Sequence, residues 1–268
     1  MKKILLLMLV ISLTSMFEAN AQLNNNQSKF DQVFDFRATP YRSASGSPGE
    51  QYWQNAVNYV INAELDEKTH IITATVKVIY TNNSPDNLEF LWLQLDQNKF
   101  KADSRGTAVQ SVGGSRNQAN ATSGYELKSV KSLGKNVKYI VNDSRMQIRL
   151  DVPLKAKGGR FETDIAYTFE VPEYGSDRTG RFKTALGNWV YSVAQWFPRM
   201  CVYDDIKGWN LEPYLGSGEF YLEYGNIDYK ITASNKLIIL GCGALQNATA
   251  CYTPEQVSRW EKARNSDT

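Results

Sequence analysis

Histidine is almost missing from this sequence: His70 is the only one in 268 residues. Zinc sites and Ser-His-Asp relays draw their ligands and base from imidazoles, so neither can be argued around this single residue. Beside a turn, a lone histidine reads as a polar surface residue. Cysteine is scarce too, with Cys201, Cys242 and Cys251 the full set and no C-x-x-C among them. An odd count leaves at least one thiol unpaired. Cys242 and Cys251 flank a turn signal, so a disulfide between them and three unbridged thiols are both open readings. Charge of one sign is lacking as well: 30 basic residues face 28 acidic ones, for a net charge of +2. A nucleic-acid footprint needs a clustered basic excess, and none is present. No P-loop, G-x-G-x-x-G or G-x-S-x-G motif occurs, and Gly241-Cys242-Gly243 reads as a turn at a strand end.

Long apolar runs are confined to the N-terminus. Met1-Lys2-Lys3 is a basic start, Ile4–Leu13 an apolar stretch, and Ala19-Asn20-Ala21 an A-x-A cleavage signature. This pattern predicts a signal peptide over residues 1–21, with Gln22 as the first mature residue. The run is too short to span a bilayer, which takes about 20 apolar residues. No cysteine follows it to carry a lipid. The mature protein is therefore expected to be exported, periplasmic or extracellular, with no membrane span.

What the chain has is strand pattern. Residues 22–50 are rich in Asn, Gln, Ser and Gly and read as a flexible leader. Val57, Tyr59, Ile61, Ala63 and Leu65 alternate, as do Ile72, Ala74, Val76, Val78 and Tyr80. With the turn Asp66–Thr69 between them, they predict a hairpin. Leu88–Leu95 is apolar on both faces, which suits a strand covered on both sides. Residues 96–124 are long and polar and read as an excursion loop. A second hairpin is expected around Asn142-Asp143-Ser144, then a long strand over Phe161–Val171. Further strands are expected at Asn188–Val193, Gly218–Tyr224, Asp228–Ala233 and Lys236–Leu240. Thr253-Pro254-Glu255-Gln256 is a capping-box start for a short C-terminal helix. The fold class is all-β, built of antiparallel hairpins.

The stretch Ala194–Trp209, AQWFPRMCVYDDIKGW, is too aromatic for an ordinary loop and too polar for a core strand. Asp204 and Asp205 are adjacent, so on a strand they point to opposite faces and make a poor acid–base dyad. They read instead as turn residues bonded to nearby backbone. Arg199 is expected to pair with Asp204, Asp205 or a backbone carbonyl.

By residues 52–250 the chain resembles a known domain. Tyr52–Phe100, then PEYGSDRTGR, VAQWFPRMCVYDDIKGW and LGSGEFYLEYGNIDYKIT, are similar, in order, to the N-terminal β-domain of bacterial zinc aminopeptidases of the aminopeptidase N family (gluzincins). The resemblance implies a saddle-like antiparallel β-sandwich over 51–250 that packs on a separate catalytic domain. It also implies that Gln195 binds the N-terminal amine of a peptide substrate, and that Trp196, Phe197 and Trp209 pack against the partner domain. The catalytic domain of such metallopeptidases carries H-E-x-x-H and G-x-M-E-N. Neither motif is here; Gly243-Ala244-Leu245-Gln246-Asn247 is no match. The chain is thus expected to be the first part of such a protein, as a fragment, a truncated gene product or a lone domain, with a truncated tail at 251–268. Alone it should be inactive and hold no zinc, the metal being implied only for the missing domain, which would join it in cis or in trans. The other reading is a free-standing β-sandwich module that binds glycans or peptides on its aromatic stretch.

Overall fold

The computed structural model describes residues 38–109, 121–173, 178–213, 215 and 221–267. The expected signal peptide, most of the leader, the middle of the 96–124 loop and part of Gly218–Tyr224 lie outside these residues. The chain divides into two compact units, one running to Thr232 and the other covering Ala233–Thr268.

The first unit is built of strands β1 (Ala56–Asp66), β2 (Ile71–Asn82), β3 (Leu88–Gln94), β4 (Glu126–Ser132), β5 (Lys135–Asn136), β6 (Lys138–Asn142), β7 (Arg145–Leu154), β8 (Gly159–Glu170), β9 (Gly180–Lys183), β10 (Trp189–Ser192), β11 (Arg199–Met200), β12 (Tyr203–Asp204), β13 (Gly208–Trp209) and β14 (Ile227–Thr232). A six-stranded sheet has the order β14-β1-β2-β8-β4-β5, and a four-stranded sheet the order β11-β3-β7-β6. The period-two pattern of β1, β2 and β8 puts every second residue on one face. In register, Ile61, Val76, Ile165 and Val130 form one row across four strands. All four are at most 2% exposed. They join Leu91, Leu93, Met146, Ile148 and Met200 of the smaller sheet in a single apolar cluster. Two inner faces sharing one core is the arrangement of a β-sandwich.

Both expected hairpins form, β1–β2 and β6–β7. The all-antiparallel expectation needs correction at one edge, because β14 runs parallel to β1. Strand pattern encodes which face is buried and leaves strand direction to the connection. Gly225 makes the approach feasible. A Cβ there would lie 1.4 Å from the Val57 carbonyl oxygen, while Val57 N–H and Tyr59 N–H donate to Tyr224 and Asn226 carbonyls at 2.9 Å each. Residues 96–124 also differ from a plain loop. Asp96–Phe100 is a buried 3₁₀ turn, and α1 (Arg105–Ala108) follows, capped by Ser104.

In the second unit, Lys236–Leu240 is not a strand. Its apolar residues are consecutive rather than alternating, none of the described strands pairs with it, and Ile238 and Leu240 are each 83% exposed. Backbone groups without a partner strand stay in turn and coil. Helices α2 (Ala248–Cys251) and α3 (Pro254–Arg264) follow. The expected capping box is present: Gln256 N–H donates to Thr253 Oγ1, and Thr253 N–H donates to Gln256 Oε1. No disulfide joins Cys242 to Cys251; both are exposed, and Cys201 is buried.

Candidate functional site

The segment between β10 and β11 carries Gln195, and its backbone is unusual. Gln195 has φ +49°, in the left-handed region that side chains with a Cβ avoid. Such a conformation costs on the order of 1 kcal/mol or more and persists where the surroundings over-determine it. Here four buried side chains hold three consecutive carbonyls. Gln97 Nε2 donates to the Ala194 carbonyl at 3.1 Å and to the Gln195 carbonyl at 3.0 Å. Thr179 Oγ1 donates to the Ala194 carbonyl at 2.7 Å and accepts Ala194 N–H at 3.0 Å. Tyr125 Oη donates to the Gln195 carbonyl, and Tyr167 Oη to the Trp196 carbonyl, each at 3.1 Å. Gln195 itself is half-buried, and its side-chain amide makes no hydrogen bond among the described residues.

The 3₁₀ turn supplies this support. It lifts Gln97 under the segment, and Asn98 Oδ1 accepts Tyr125 N–H at 2.8 Å, which brings the tyrosine alongside. The turn is tied in turn to β11: Arg199 Nε and Nη2 donate to Asp96 Oδ2 at 3.0 and 2.6 Å. Asp96 is 3% exposed. Burial raises its carboxyl above the usual range while Arg199 pulls it down. Arg199 therefore pairs with neither Asp204 nor Asp205. Asp205 pairs instead with Arg42 at 2.7 Å. Asp204 does hold a turn, accepting the N–H groups of Ile206 and Lys207 at 3.0 and 2.8 Å. The two aspartates do not form a dyad.

The aromatics of the stretch lie against the core of this unit. Phe197 is 8% exposed and meets Tyr59 edge-on at 5.1 Å. Trp196 and Trp209 are half-buried against the same core, Trp196 meeting Phe197 at 5.3 Å and Trp209 meeting Tyr203 at 5.3 Å. Phe197 is thus a core residue of this unit, while Trp196 and Trp209 keep part of their surface exposed. His70 is not a plain surface residue either. Its Nδ1 lies 2.7 Å from Tyr191 Oη and its ring meets Trp189 at 4.6 Å. Burial lowers its proton affinity, with Arg181 adding to the effect. Among the described residues, no three His, Cys, Asp or Glu side chains cluster closely enough to hold a metal ion. No described helix is long and apolar enough to cross a membrane.

No protein-family model matches the chain, and no curated protein matches it. Solved structures do. A mutant M1 zinc metallopeptidase from Deinococcus radiodurans, bound to a Tyr-Ser-Ala substrate, aligns over 75% of this chain at 10% identity and a TM-score of 0.39. A second M1 zinc metallopeptidase structure from that organism aligns over 68% at 9% identity and a TM-score of 0.35. Yeast LTA4 hydrolase in complex with bestatin aligns over 43% at 13% identity and a TM-score of 0.27. The chain spans 38%, 33% and 14% of these proteins' lengths, respectively. At these identities and TM-scores the likeness is distant and assigns no residue.

Sequence reasoning singled out Gln195 and missed its supports. Gln97 sits in a segment that reads as polar loop, and Thr179 in a break between strands. Tyr125 and Tyr167 carry only their place near or within a strand pattern. A hydroxyl or amide that bonds a carbonyl 15 to 98 residues away leaves no local periodicity to detect.

Proposed function

We propose that this chain is a non-catalytic, peptidase-related β-domain of an exported zinc metallopeptidase of the aminopeptidase N type. In this reading it packs on a catalytic domain and presents Gln195 to the N-terminal amine of a peptide. The observation that carries the proposal is the left-handed Gln195, held by its own and its neighbour's carbonyls, with its amide unengaged. An amide oxygen accepts from an ammonium and cannot donate a proton to it, so it recognises a free amine without titrating. A rigid β scaffold keeps the acceptor in place before the ligand arrives. The order of the resembling sequence blocks supports the same reading. Zinc would belong to the catalytic domain, and this chain contributes neither ligand nor base.

The test is a titration of the purified, isotope-labelled chain, followed by nuclear magnetic resonance of the Gln195 side-chain amide. A tripeptide with a free amine should shift that signal, and its N-acetylated counterpart should not. Equal responses to both would overturn the amine-binding role. Chelator-sensitive hydrolysis of an aminoacyl-nitroanilide by the pure chain would overturn the non-catalytic assignment.

A further inference from the structure

We propose that Gln97, Tyr125 and Thr179 are positioning residues that hold Gln195 in its left-handed conformation and thereby set the affinity of the site for free amines. The functional half of this inference rests on the amine-binding reading of Gln195.

All three are buried, at 2%, 8% and 3% exposure. They come from three separate parts of the chain: the 3₁₀ turn, the entry to β4 and the entry to β9. They converge on just two peptide units. The Ala194 carbonyl accepts from both Gln97 and Thr179, and the Gln195 carbonyl from both Gln97 and Tyr125. Removing any one donor therefore leaves each carbonyl still paired. For Gln97 and Tyr125 that redundancy separates positioning from stability, because the usual penalty of an orphaned buried carbonyl does not arise; losing the Thr179 hydroxyl also leaves Ala194 N–H without its acceptor.

Gln97 gives a second indication. Its two N–H groups are spent on the loop while its Oε1 is buried with no partner among the described residues. A buried unpaired acceptor is unfavourable, and an apolar side chain of similar reach would avoid it. The arrangement makes sense if the bridge between carbonyls 194 and 195 is what the residue is for. The Asp96–Arg199 pair fixes the same loop from beneath, joining the residue before Gln97 to the strand that follows Pro198.

The experiment compares Gln97→Leu, Tyr125→Phe, Thr179→Val and Thr179→Ser in the whole chain. Two readouts are taken on each: the backbone conformation of Gln195, from its three-bond amide–Hα coupling and amide relaxation, and the affinity for a free-amine tripeptide against its acetylated form. Gln97→Leu and Thr179→Val should release residues 194–196 into faster motion and weaken free-amine binding roughly two- to tenfold, the equivalent of one net hydrogen bond. Thr179→Ser, which keeps the hydroxyl, should match the parent on both readouts. Unfolding midpoints of Gln97→Leu, Tyr125→Phe and Thr179→Ser should change little, whereas Thr179→Val, which also strips Ala194 N–H of its acceptor, should unfold somewhat earlier. If Gln97→Leu does not fold, Tyr125→Phe is isosteric and carries the same comparison. A Gln97→Leu, Thr179→Val double variant that retains both the left-handed Gln195 and the parent affinity would overturn the proposal. If the parent fails to distinguish free from acetylated peptide, the amine reading falls and with it the affinity half. Release of the Gln195 backbone in the variants would then still support the positioning half.

Discussion

Glu223 should make this protein less stable as the solution turns from acid to neutral. Its Oε1 accepts Tyr203 N–H at 3.2 Å. Burial pushes its carboxyl from the usual 4.5 up to about 7, partly offset by that hydrogen bond and reinforced by the charge of Asp204. The folded state thus binds a proton more tightly than the unfolded chain. Between about pH 4.5 and pH 7, unfolding releases this proton, so stability is highest below that window and is lost as pH rises through it. A tenfold change in proton affinity is worth about 1.4 kcal/mol, which caps the loss at about 3 kcal/mol. Solvent at the half-buried carboxyl brings the expected figure to ~1–2 kcal/mol. Glu223→Gln keeps the acceptor for Tyr203 N–H and removes the titration. Urea unfolding of parent and variant at pH 5 and pH 8 isolates the effect. His70, Asp96 and the other shifted groups are common to both proteins and cancel in the comparison. The parent should lose ~1–2 kcal/mol more than the variant between the two pH values. Parallel pH profiles would refute the reasoning.

Ile165 is fully buried at the centre of the large sheet. Ile165→Ala should cost roughly 3–4 kcal/mol by urea unfolding, and a loss below about 1 kcal/mol would contradict the shared core. Gly225→Ala would force a Cβ against the Val57 carbonyl. Amide exchange at Val57 and Tyr59 should speed up as β14 lifts from β1, while the amides pairing β2 with β8 stay protected. Equal protection in parent and variant would show that the strand shifts without loss. Arg199→Met leaves the buried Asp96 carboxylate without its ion-pair partner and should cost roughly 3–5 kcal/mol. Adding Asp96→Asn should recover part of that loss, and no recovery would mean that the charge is not its source.

Local pattern was enough for much of the fold. Val57 to Tyr80 alternates apolar and polar residues because one face of each strand meets the core, and that periodicity is visible residue by residue. The same holds for Phe161 to Phe169 in β8 and for the hairpin turning at Asp143 and Ser144. Thr253 and Gln256 announce a helix start, since both halves of the capping box lie three residues apart. Gln195 stood out by resemblance alone, and its left-handed backbone left no mark in the local pattern.

The amino-acid sequence by itself determined the β class, the first hairpins, the helix start and the absence of paired histidines from this chain. These are properties of composition and of spacing within a few residues. The tertiary structure alone decided that β14 joins β1 in parallel, that Lys236–Leu240 is no strand, and that Arg199 reaches back to Asp96. It alone decided that Phe197 belongs to the core and that Gln97, Thr179 and Tyr125 converge on two carbonyls. Each of these depends on contacts between residues distant in the chain. Their partners are set by packing and by the demand that buried polar groups be paired, which no local window of sequence contains.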